Sequence, residues 1–115
     1  MNRFLIGLAL CGLSIAAAAQ ALAPASPQAK ARAMRVSAAL GACHARNAAR
    51  LARSDPNAAR VVDKVLAQCR AQENAVRAEV YRDLDAGTAA RVMRDQRAHW
   101  RLRVGELVAR ARARR

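Results

Sequence analysis

Between about residues 29 and 85 the larger apolar side chains fall into two stripes of helical period, separated by one break. Val36, Leu40, Cys43 and Leu51 recur at helical spacing with Asn47 on the same seam, which predicts a helix from about Ala29 to Arg53. It must stop near Ser54, because Asp55 precedes Pro56 and a residue before proline is pushed out of the helical region. Asp55 as N-cap and Pro56 as first residue then open a second helix, which reaches about Asp85. Its stripe is Val62, Val65, Cys69, Gln72, Val76, Val80 and Leu84, with Glu73 and Arg77 expected as an i,i+4 ion pair on the opposite side. Gly87 suits the position just past that helix, and Thr88 suits the N-cap of a third. The third stripe is Val92, Met93, Gln96, Trp100, Val104, Leu107 and Ala111. With no run of β-branched residues, the chain reads as all-α: an antiparallel helical hairpin plus a third amphipathic helix, together a three-helix bundle. The competing arrangement leaves the third helix undocked or packed on a second copy of the chain.

The hairpin carries its own register. Both arms rise about 1.5 Å per residue from the turn, so residues at equal height have numbers with a constant sum. Cys43 with Cys69, Val36 with Val76, and Leu51 with Val61 all share one sum, and Leu40 then faces Gln72 while Asn47 faces Val65. The thiols and the apolar stripes therefore select the same alignment. Asn47 and Gln72 are polar residues on this seam; either they hydrogen-bond across it or they lie at its margin.

The N-terminal end decides how the cysteines are read. Arg3 precedes an apolar run from Phe4 to Ala19, and the Ala17-Ala18-Ala19 end has the small residues that signal peptidases accept. Residues 1–19 read as a signal peptide, 20–28 as a Pro/Ala tether and 29–115 as a helical domain with a basic C-terminal tail. The alternative is an uncleaved anchor through residues 4–23 in the inner membrane. Cleavage removes Cys11 and leaves Cys43 and Cys69, an even pair that an oxidising periplasmic or extracellular compartment joins as a disulfide. A bond closing about 27 residues contributes roughly 3.5 kcal/mol by the chain-entropy argument. That is a large share of stability for a domain whose mature aromatics are Tyr81 and Trp100.

Charge narrows the partners. The formal charge of +13 becomes +12 without Arg3. Arg91, Arg94, Arg97 and Arg101 share a side of the third helix and form the candidate anion-binding face. Guanidinium groups bind phosphate bidentately, so the expected partner is an anionic lipid, a lipopolysaccharide phosphate or an acidic protein. The competing explanation of the basicity is Ala- and Arg-rich coding composition. Nucleic acid is disfavoured by the signal and by the lack of aromatic platforms.

No cofactor or metal is expected. Adjacent Cys43 and His44 point about 100° apart on a helix, and the disulfide consumes both thiols. His44 is expected as a partly exposed surface histidine, and His99 beside Trp100 at the bundle edge. The hydroxyls Ser26, Ser37, Ser54 and Thr88 sit in tether, helix or capping contexts, so no nucleophile, base and orienting residue form a set, and an enzyme is not expected.

At "ACHARNAARLARSDPNAARVVDKVLAQCRAQENAVRAEV" the chain resembles small, signal-bearing helical proteins of proteobacteria, in which two cysteines flank a Ser/Asp-Pro turn. The resemblance rests on Cys43, Cys69 and the turn. It implies an envelope location and a disulfide hairpin, and no catalytic residues. The functional expectation is an exported binding protein that uses its basic face. Its alternative is a structural or stress-protective protein that self-associates as a homo-oligomer through Trp100, Val104 and Leu107.

Overall fold

The computed structural model of the chain describes residues 26–114; the signal segment, its reading as an anchor and most of the tether lie outside them. The described residues are helical and form no strand: α1 Pro27–Leu51, α2 Ala58–Gln68, α3 Arg70–Asp83 and α4 Ala86–Ala113. There are thus four helices where the stripes predict three. The predicted second helix is divided at Cys69, whose backbone sits at φ −101° and ψ 16°, outside the α region. Its N–H is shared between the carbonyls of Val65 (3.2 Å) and Leu66 (3.3 Å), while its own carbonyl still accepts from Glu73 N–H at 3.0 Å. The ladder is interrupted for one residue and then resumes. Neither glycine nor proline marks the position.

Three further boundaries differ from expectation. Helix α1 starts at Pro27 because Ser26 caps it, its Oγ accepting from Ala29 N–H at 3.0 Å with proline as first residue. Asp55 does not cap α2. Its carboxylate accepts from Asn57 N–H at 2.8 Å and shapes the turn, and Asn57 caps the helix through Ala59 and Arg60 N–H. At the other end Asp85 replaces Thr88 as N-cap of α4, accepting both Thr88 N–H (3.0 Å) and Thr88 O–H (2.7 Å). These bonds hold the Asp85 carboxyl below its usual range. Gly87 accordingly lies inside the first turn of α4.

The hairpin register is as the constant sum requires. Cys43 of α1 and Cys69 are joined by a disulfide with their Cα atoms 5.9 Å apart. Around them Leu40, Val76, Met93 and Trp100 form one apolar cluster, with Val36 against its edge. Nearer the α1–α2 turn, Ala48, Val61, Val62, Val65, Val104 and Val108 form a second, with Leu51 against it, and Leu66 touches both. Helix α4 is therefore docked across the hairpin and supplies buried residues to each cluster.

The C-terminal end of α4 is fixed on the same turn. The Arg112 guanidinium donates to the carbonyls of Ala52 (2.7 Å), Pro56 (3.1 Å) and Asp55. Ala52 caps α1, so a cation meets a helix C-terminus whose carbonyls lack intrahelical partners. Arg53 reaches back to the carbonyls of Arg112 (3.2 Å) and Arg114. The basic tail is thus clasped to the α1–α2 turn at one end of the bundle.

Candidate functional site

The predicted arginine face divides into two pairs. Arg97 Nε lies 3.0 Å from Glu73 Oε1 on α3, and Arg101 reaches Asp63 Oδ1 on α2 at 2.8 Å. These two tie α4 to its neighbours, and Glu73 therefore does not pair with Arg77, which instead stacks over the Tyr81 ring at 5.1 Å. Arg91 and Arg94 are exposed, and neither meets a carboxylate at ion-pair distance among the described residues. Arg91 donates to the Thr88 hydroxyl at 3.5 Å. The periodicity places all four on one side of α4 without showing that half of them face acidic partners.

The seam polars separate as well. Asn47 Nδ2 donates to the Cys43 carbonyl at 2.9 Å and lies 3.3 and 3.5 Å from the sulfurs of Cys43 and Cys69. It does cross the hairpin, at the disulfide. Gln72 stays at the margin, and its Oε1 is buried without a hydrogen-bond partner.

A second feature had no signal in the sequence. A cleft of about 470 Å³ opens between α1, α3 and α4, walled by Ala33 to His44, Val76 to Leu84 and Val92 to Arg103. That volume lies in the range of small-molecule sites. Its walls are mainly Val36, Leu40, Val76, Val80, Val92 and Trp100. His44, expected at the surface, is 1 % exposed at one end of this cleft, because α4 covers it. Its ring meets Trp100 edge-on with centroids 6.3 Å apart and planes at 63°. The sequence neighbourhood of His44 is polar and Ala-rich, which is why periodicity alone misses it. His99 is exposed on the rim beside Trp100, where it was expected.

Burial pushes the His44 imidazole below its ordinary value of 6.5; the Glu73 carboxylate opposes this and the Arg103 guanidinium adds to it. Because the folded ring takes up its proton less readily than the unfolded one, stability present above about pH 6.5 is lost as pH falls through the folded value. Denaturant unfolding at about pH 7.5 and about pH 5.5 should therefore show a loss for the wild type that is reduced in His44→Leu. Equal losses in both proteins would contradict it.

Among the described residues no group of three or more His, Cys, Asp or Glu side chains is arranged to hold a metal ion, and no helix is long and apolar enough to cross a membrane. Comparison with known proteins finds no matching family model, no matching curated protein and no matching solved structure.

Proposed function

We propose that this is an exported, non-catalytic binding protein that engages phosphate-bearing anionic surfaces of the cell envelope through its unpaired arginines. The observation that carries this reading is how the few carboxylates are used. Glu73, Asp63, Glu79 and Asp55 each pair with arginines of the chain itself, and Arg91 and Arg94 face outward with no carboxylate at ion-pair distance among the described residues. A disulfide buried in the core fits an oxidising compartment, where such surfaces are anionic. The self-associating alternative has less support: Trp100 and Val104, which it needs at an interface, are 7 % and 0 % exposed in the chain's own core.

Co-sedimentation with phosphatidylglycerol vesicles at low and high salt tests the proposal. Each cation near an anionic surface is worth about 1 kcal/mol, so R91Q/R94Q should weaken partitioning by roughly 30-fold at low salt. The R97Q/R101Q pair should weaken it less, since those guanidinium groups already face carboxylates. Unchanged partitioning in R91Q/R94Q, or salt-sensitive binding to an acidic polypeptide with none to vesicles, would overturn the membrane-surface reading.

A further inference from the structure

The cleft between α1, α3 and α4 differs from the arginine face in chemistry and in place, and its two ends differ from each other. Along α1 it runs from Ala33 to His44, about 16 Å of helix axis at 1.5 Å per residue. His44, His99 and Arg103 line one end. The register fixed by the disulfide puts Glu79 and Asp83 ten and fourteen residues beyond Cys69 on α3, at the other end. Arg103 has no carboxylate at ion-pair distance among the described residues. Glu79 is held by Arg32 (3.5 Å) and Arg82 (3.7 Å), and its Oε2 is buried without a hydrogen-bond partner. Between these ends the walls are valine, leucine and tryptophan, with only Ser37 and Gln96 offering hydrogen bonds. A peptide laid there would leave most of its backbone groups without partners, at a cost of desolvation for each. A hydrocarbon chain would not.

Gly41 adds an independent observation. It lies in the middle of α1 and lines the cleft, and a Cβ placed on it would meet nothing within 4 Å. Glycine inside a helix costs about 1 kcal/mol relative to alanine. No close approach within the chain explains its presence, and its missing side chain leaves the cleft wider along α1.

We infer that the cleft binds one single-chain amphipath with an anionic head, of the fatty-acid class, with its chain along α1 and its carboxylate at Arg103 and His99. At the other end the Asp83 carboxylate, which meets no arginine at ion-pair distance among the described residues, disfavours the head group and sets the orientation. The site is separate from Arg91 and Arg94, so it stands or falls without the surface reading.

Trp100 is the sole tryptophan and lines the cleft, so its fluorescence reports occupancy directly. Titration with dodecanoate below its micellar concentration should give a saturable emission shift at one ligand per protein, confirmed by native mass spectrometry. Arg103→Gln should weaken dodecanoate by about tenfold and leave neutral dodecanol unchanged, since only a charge-assisted contact is removed. Gly41→Leu should abolish binding of both, and Gly41→Ala, a smaller change in open space, should weaken it partway with the helical signal retained. R91Q/R94Q should bind dodecanoate as the wild type does. The inference is overturned if the wild type shows no saturable shift, if Gly41→Ala and Gly41→Leu bind dodecanoate undiminished, or if R91Q/R94Q removes the binding.

Discussion

Replacing both cysteines, Cys43→Ala with Cys69→Ala, should lower the free energy of unfolding by about 3.5 kcal/mol, the loop-closure entropy that the bond removes from the unfolded chain. The bond spans a sequence separation of 26, and it joins α1 to the point where α2 passes into α3. Both cysteines are buried, at 3 % and 0 % exposure, and Asn47, which loses its contacts to the two sulfurs, keeps its hydrogen bond to the backbone carbonyl of residue 43. The measured change then reflects chiefly the lost constraint. Urea unfolding followed by circular dichroism measures it, and wild type under reducing conditions should move the same way. A change below about 1 kcal/mol would mean that the unfolded chain is not constrained by the bond as that entropy argument assumes.

Trp100→Ala should cost about 4 kcal/mol, the middle of the range for truncating a buried aromatic. Trp100 is 7 % exposed and packs in one cluster with Leu40, Cys43, Cys69, Val76 and Met93. It is also the lid over His44. Since the substitution removes the only tryptophan, the far-ultraviolet signal of the helices must replace fluorescence as the probe. The two changes share a cluster, so the triple substitution should deviate from additivity. A cost under about 1 kcal/mol would place the indole outside the core and undock α4.

The hairpin was legible in the sequence because two unrelated signals, thiol spacing and apolar period, depend on the same geometric quantity, the height above the turn. Val36, Leu51, Val61 and Val76 lie in the clusters that the shared sum assigns them. The division at Cys69 was not legible, since it is a shared backbone hydrogen bond in a sequence of good helix formers. The caps shifted for a related reason. Ser26, Asp55, Asn57, Asp85 and Thr88 are all capping residues, and which one serves depends on tertiary docking that composition does not encode. The arginine row shows the limit most plainly: period puts Arg97 and Arg101 beside Arg94, and only the placement of Glu73 and Asp63 on neighbouring helices shows that two of them are structural. Arg112 and the cleft depend on contacts between distant parts of the chain, for which no local pattern exists.

The central claim is that the chain, in its own compartment, is a hairpin locked covalently at Cys43 and Cys69. Digestion with trypsin of protein isolated from its native cell, with free thiols blocked and without reductant, tests it most directly. The account predicts one linked product, residues 36–46 joined to residues 65–70, which separates into its two peptides on reduction. Recovery of both peptides carrying the thiol-blocking group would contradict it.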